Sequence, residues 1–348
     1  MLKLPDLSPL LSWYEASRRA LPWRSTKDPY RIWVSEIMLQ QTRVEAVLPY
    51  YHRFLDTLPT IKHLANAPEA QLLLLWEGLG YYSRVRNMQK AARTVMAEHG
   101  GTFPTTYEDI RALCGIGDYT AGAIASFAFD LPYPAVDGNV LRVTARLLCY
   151  EEDVLSTAAK KALTAAVSTE VQKLPPATLN QALMELGATV CLPNGTPKCA
   201  VCPLADRCIA HQTGKETALP IRRKAAARRI EERTVLVLRI GDTVALRRRP
   251  ESGLLAGLFE PYTIKGKLTA KQLDSALSAL AVTPCRVTPL GDAKHIFTHL
   301  EWHMTGYEVI LPQDAAPKLP EEYFFASRAQ IDGSLAIPSA YAAYRAFM

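Results

Sequence analysis

The sequence predicts a two-domain chain, all-α over its first two thirds and mixed α/β over its last third. Three observations predict it. Apolar residues recur at three- and four-residue spacing in segments such as WVSEIMLQQTRVEAVLPYYHRFL (33–55) and ATLNQALMELGATVC (177–191), the period of helices with one buried face. Beyond residue 230 the pattern becomes β-rich, with RTVLVLRI, a Gly-Asp turn and TVALRRR (233–249) reading as a hairpin. Between the two regions, Cys191, Cys199, Cys202 and Cys208 crowd into eighteen residues. A length of 348 residues agrees, at roughly 150 residues per domain.

Turn-formers separate the helical segments: GG at 100–101, CGIGD at 114–118, DLPYP at 130–134 and LPP at 174–176. In the last third, TAKQLDSALSAL (269–280) reads as a helix and HLEWHMTGYEVIL (299–311) as a strand. The boundaries expected are a helical region over 1–214, a linker over 215–233 and a C-terminal domain over 234–348. Within the linker, RRKAAARR (222–229) carries five basic side chains and no acid. It is either a solvated connector or a nucleic-acid contact.

The chain is 49% hydrophobic and 21% charged, enough apolar surface for a sizeable core and too much for a disordered protein. The net charge of +6 permits an anionic partner without demanding one. No apolar run approaches the roughly 20 residues of a membrane span, and the N-terminus lacks a signal-peptide pattern. The expectation is a cytoplasmic protein that needs no membrane.

The cysteine spacing is C-x7-C-x2-C-x5-C, and the total of seven cysteines is odd. That reads as a metal site in a reducing compartment rather than a disulfide framework. Four thiolates can surround one Zn²⁺ or a cubane iron–sulfur cluster. A zinc ribbon usually pairs two CxxC knuckles, whereas only Cys199–Cys202 forms one here, which favours iron–sulfur. Either group would hold a terminal loop against the helical region.

Three further features carry chemistry. LCGIGDYTAGAIASFAF (113–129) sets Gly115 and Gly117 before a small-residue helix. The turn allows close backbone approach, and the helix N-terminus offers unpaired N–H groups to a phosphate. Glu36 sits in an apolar helix with Trp33 and Leu39 one turn away; burial would raise its pKa and keep a proton on it near neutrality. Asp137 precedes VLRVTARLL as a helix N-cap, where the helix dipole is expected to lower its pKa and keep it ionised. One protonated and one charged carboxyl are what glycosidic-bond cleavage needs.

These motifs together resemble the helix–hairpin–helix DNA glycosylase superfamily, and more narrowly the MutY-type adenine DNA glycosylases. The matching segments are LPWR (21–24), DPYRIWVSEIMLQQT (28–42), WEGLGYYSRVRN (76–87), LCGIGDYTAG (113–122), VDGNVLRV (136–143), NQALMELGATVC (180–191) and the cysteine cluster. The resemblance implies a DNA N-glycosylase of base excision repair, acting as a monomer on duplexes with 8-oxoguanine:A or G:A mispairs. It flips the adenine into a pocket. By similarity Glu36 is the general acid, Asp137 faces the anomeric carbon, Tyr119 assists and Asn139 orients the site. The adenine pocket draws on Arg19, Leu21, Trp23, Arg24, Arg31, Leu39 and Gln181. Gln41, Leu79 and Tyr81 match residues that enter the duplex around the lesion, with Thr42 a further DNA contact. The backbone of 114–119, with Gly115 and Gly117, holds a phosphate, and the four cysteines bind a 4Fe-4S cluster. Relatives that also cut the strand carry a lysine where this chain has Tyr119, and a phenol cannot form their Schiff base. A monofunctional enzyme is therefore expected. The rival readings are a bifunctional endonuclease III-like glycosylase/lyase and a non-catalytic iron–sulfur DNA-binding protein.

The C-terminal domain resembles an α+β Nudix fold. Residues 261–300 contain no glutamate, so the Mg²⁺-binding helix of Nudix catalysis is not expected. The resemblance implies that this domain reads 8-oxoguanine through HIFTHLEW (295–302), with Phe297, Thr298 and His299 nearest the lesion. Two departures stand out: the seven-residue first cysteine gap, expected to bulge within LPNGTPK, and Asp118 beside the phosphate seat, expected to cap the next helix.

Overall fold

A computed structural model describes residues 2–223 and 227–348. They form two compact units, residues 1–66 with 87–225, and residues 67–86 with 226–348. The boundaries differ from expectation in two ways. Residues 67–86 group with the C-terminal unit, and the first strand begins at Arg229, inside the expected linker. The head of that linker packs on the helical unit: Leu219 is buried, its carbonyl accepts from Arg146 Nε at 2.9 Å, and the Val154 N–H donates to Ile221 O at 3.1 Å. The middle of the basic run, 224–226, lies outside the described residues.

The first unit is helical. Asp28 accepts from the Tyr30 N–H, and Pro29 stands at the first position of the helix Pro29–Leu39, a start that fits proline's fixed φ and missing donor. The apolar pattern over 33–55 is not one helix but two, Pro29–Leu39 and Val44–Thr57. Gln41, at φ 61°, breaks it. The helix Asp118–Phe129 ends at Asp130, whose φ of 54° turns the chain. Its small residues allow close approach, since a Cβ on Gly122 would stand 2.1 Å from the Pro134 carbonyl oxygen. Helices Gly138–Leu147 and Pro176–Thr189 pack through Val140, Val143, Leu179, Leu183 and Leu186 against Leu7, Leu10 and Tyr14. Each such buried side chain contributes about 1.5–3 kcal/mol. Among the described residues no helix is long and apolar enough to cross a membrane.

The second unit contains a six-stranded sheet: β1 (Arg229–Ile240), β2 (Thr243–Arg248), β3 (Phe259–Lys265), β4 (Arg286–Ile296), β5 (Leu300–Leu311) and β6 (Tyr323–Ser327). Their order is β4-β5-β1-β3-β2-β6. β1 and β5 run parallel, and the other neighbours run antiparallel. The expected hairpin is β1–β2, turning at Gly241 with φ 58°. Alternation along β1 divides the core. Val235 and Val237 pack with Trp302, Met304 and Tyr341, while Leu236 and Leu238 pack with Leu273 and Leu277 of the helix Ala270–Ala279.

Candidate active site

The helical unit holds an open cleft lined by Glu36, Tyr119, Asp137, Asn139 and Gln181, with Arg19, Leu21, Trp23, Arg24, Leu39, Gln41 and Thr42 around them. Three elements bring the acids together: Pro29–Leu39 carries Glu36, the first turn of Asp118–Phe129 carries Tyr119, and Asp137 caps Gly138–Leu147. Glu36 is only 4% exposed. Burial pushes its carboxyl up to about 7, against a hydrogen bond from the Tyr119 hydroxyl, while the charge of Asp137 adds to the rise. Tyr119 Oη donates to Glu36 Oε2 at 2.6 Å, and its own pKa is driven far up by burial, so it stays a phenol.

Asp137 caps its helix as expected, accepting from the Val140 N–H at 2.7 Å and from Asn139 Nδ2 at 2.8 Å. Its pKa does not fall, however. Desolvation in the cleft outweighs those bonds and raises it above the ordinary aspartate value. A helix cap in water and one at the base of a cleft differ in this way. Arg31 is the second correction. Among the described residues it does not line the cleft, and its Nε faces Asp28 Oδ2 at 3.4 Å.

The hairpin turn joins helices Tyr107–Ala112 and Asp118–Phe129. Gly115 has φ 79°, and a Cβ there would stand 2.7 Å from Asn87 Cβ, so only glycine fits. Gly117, not Asp118, is the N-cap, and Asp118 instead pairs with Arg111 Nε at 2.5 Å. Its charge is thus matched across the turn.

Cys191, Cys199, Cys202 and Cys208 line one cavity with Val143, Leu186 and Val190. None of the four is in a disulfide. Four free thiols lining one cavity are a donor set that an iron–sulfur cluster or a Zn²⁺ ion takes. Arg146 faces the cavity with Nη1 at 3.2 Å from Cys191 Sγ. The long first cysteine gap turns at Gly195, φ 72°, within the expected segment.

In the other unit, Phe297, Thr298 and His299 form the turn between β4 and β5. Phe297 stacks edge-on against buried Trp302, centroids 4.9 Å apart. Thr298 and Tyr81 share a hydrogen bond of 2.9 Å. The carbonyls of Leu79 and Gly80 each accept from Arg84 Nη2 at 3.0 Å. Both Gln41 and Tyr81 have positive φ, 61° and 47°, a conformation that costs such residues about 1–3 kcal/mol and concentrates at functional sites.

Residues 34–169 match the family described as HhH-GPD superfamily base excision DNA repair protein, and residues 234–345 match the NUDIX domain. The adenine DNA glycosylase of Mus musculus is 38% identical over 371 residues, covering 90% of this chain and 72% of the relative. That of Buchnera aphidicola subsp. Baizongia pistaciae is 38% identical over 307 residues, covering 87% and 85%. The chain belongs to the adenine DNA glycosylase family. A thermostable thymine-DNA glycosylase structure shares the fold of the helical part, with a TM-score of 0.53 and 28% identity, covering 60% of this chain and 95% of that one.

The cleft of this adenine glycosylase also contains two residues that the sequence motifs did not single out. Glu185, 1% exposed, stands on the helix Pro176–Thr189 and pairs with Arg19 and Arg24. The signal was available: like Glu36, it is an acid in an apolar helical pattern. Arg142 donates to Asn139 Oδ1, Gly187 O and Cys191 O, each at 2.8 Å, tying the cleft of the glycosylase to its cysteine loop. Gly187 makes the approach possible, because a Cβ there would stand 2.6 Å from Asn139 Cβ.

Proposed function

We propose that this glycosylase removes adenine opposite 8-oxoguanine by acid-assisted hydrolysis, with Glu36 as the acid and Asp137 facing the sugar. The observation that carries the reading is a buried carboxyl poised near 7 beside a phenol and a second carboxyl in one cleft. A general acid works best when its pKa lies near the operating pH. Glu36 gives its proton to a ring nitrogen of the flipped adenine. The N-glycosidic bond then breaks with its electron pair leaving on the neutral base. The sugar cation so formed faces Asp137, held in place by Asn139 and the Val140 N–H, and water adds to it, its released proton returning to the carboxylates of the cleft to complete the hydrolysis. Tyr119 offers no amine for a Schiff base, and its hydroxyl is engaged by Glu36. The product is an intact abasic site.

Cys191, Cys199, Cys202 and Cys208 would hold a 4Fe-4S cluster, which when bound supplies a structural clamp for the loop 191–208. Recognition of the opposite base falls to Phe297, Thr298 and His299 together with Tyr81 and Leu79. Thr298 presents a hydroxyl beside Tyr81, suited to hydrogen-bonding the edge of an oxidised guanine. In Thr298→Ala, the ratio of adenine release from 8-oxoguanine:A over G:A should fall about fivefold, the loss of one hydrogen bond of about 1 kcal/mol. An unchanged ratio in single-turnover assays on the two duplexes would remove Thr298 from lesion reading.

A further inference from the structure

The adenine pocket places Arg24 near an acid that must stay protonated, with Arg19 lining the same cleft, and a guanidinium close to a carboxyl normally drives its proton off. Glu185 answers that conflict. Its carboxylate accepts from Arg19 through Nε and Nη2, both at 2.8 Å, and from the Arg19 backbone N–H at 3.1 Å. Arg24 Nη2 reaches the same Oε2 at 2.6 Å, and Arg24 Nη1 donates to Arg19 O at 3.1 Å. One buried anion thus fixes two cations and links them to each other. Such charge-assisted, forked contacts define geometry as well as charge.

We propose that Glu185 is a positioning residue of the adenine pocket: it locks Arg19 and Arg24 in place and offsets their charge, so that Glu36 can act as an acid beside Arg24. The proposal rests on the reading of Glu36 as the acid. The groups facing Glu36 are Tyr119 from Asp118–Phe129, Asp137 at the head of Gly138–Leu147, and Arg24 from the turn Pro22–Arg24, of which only Arg24 favours the charged carboxylate by its charge. Glu185 itself faces Arg19 and Arg24, with Tyr14 of Ser8–Ser17 nearby, and Arg19 also feels Glu45 of Val44–Thr57. The two arginines hold the Glu185 carboxyl well down, at about 2, so it remains an anion across the working range. Beyond the two arginines, Tyr14 donates a short hydrogen bond to Gln181 Oε1 on the same helix, so the helix Pro176–Thr189 orders both the cationic and the amide side of the pocket.

The test is the pH profile of single-turnover adenine release by the full-length protein. In Glu185→Gln, Arg24 loses its counter-charge, and the midpoint of the limb assigned to Glu36 should drop by about one pH unit, slowing release about tenfold at pH 8. In Arg24→Gln the midpoint should move the other way, above wild type. Glu185→Asp, which keeps the charge, should hold the wild-type midpoint even if its rate falls. A uniform loss of rate in Glu185→Gln with the midpoint in place would overturn the proposal and leave Glu185 a packing residue. If Glu185→Gln does not fold, Arg24→Gln decides: no upward shift overturns it. A wild-type profile without a limb near 7, or a fully active Glu36→Gln, instead defeats the acid role of Glu36 itself.

Discussion

Glu36→Gln should slow adenine release by about a hundredfold to ten-thousandfold, the usual contribution of a general acid. The substitution keeps the size and hydrogen-bonding reach of the side chain, and the Tyr119 hydroxyl at 2.6 Å can donate to an amide oxygen as it does to the carboxylate. The loss would therefore report the missing proton rather than a collapsed cleft. In wild type the rate should fall as pH rises through about 7, where Glu36 ionises, and the variant should lack that limb. Wild-type stability should fall over the same rise in pH. Burial holds the folded carboxyl at about 7, against 4.5 for a free glutamate. The stability of the neutral form is present below about 4.5 and lost as pH rises through about 7. Glu36→Gln should thus melt higher than wild type at pH 8, by on the order of 3 kcal/mol, and match it near pH 4. A variant that melts lower at pH 8 and loses activity in proportion would point to a structural role.

Asp137→Asn should cost about a hundredfold to a thousandfold, the scale of removing one electrostatic stabiliser from a transition state. Asparagine caps helices as well as aspartate does, so the helix Gly138–Leu147 should keep its start and its buried Val140 and Val143. What changes is the charge facing the sugar cation. Desolvation has already raised the pKa of Asp137, a sign that its carboxylate is poorly hydrated and interacts strongly with any cation placed against it. Melting curves near those of wild type with release slowed at least about a hundredfold are the expected pair. Near-normal release would leave Asp137 as a helix cap only.

Much of the site was legible because its chemistry coincides with local pattern. Glu36 interrupts an apolar helical stripe, Asp137 precedes one, and Gly115 stands where the backbone needs positive φ. The rest depended on tertiary placement. Nothing local shows that the apolar run over 33–55 must break at Gln41, since glutamine rarely adopts positive φ. The raised pKa of Asp137 follows from the cleft around it, while sequence displays only its capping position. Arg31 carries the right charge for a pocket wall, but its position on Pro29–Leu39 sets it against Asp28. Glu185 had a visible pattern and no visible partner, as Arg19 and Arg24 lie more than 150 positions away along the chain. The fold followed the same division. Both the helical region and the β1–β2 hairpin match their periodicities, whereas the grouping of 67–86 with the C-terminal unit is set by contacts far apart in sequence.

The most direct measurement follows both products of the wild-type reaction in a single turnover. An 8-oxoguanine:A duplex, labelled on the adenine strand, is incubated with excess protein and divided for release of free base and for strand breaks before and after alkali. The expected result is free adenine, with a strand that stays intact until alkali opens the abasic site. Strand cleavage at the rate of base release, or a duplex from which no adenine leaves, would contradict an acid-assisted, monofunctional hydrolysis at Glu36, Tyr119 and Asp137.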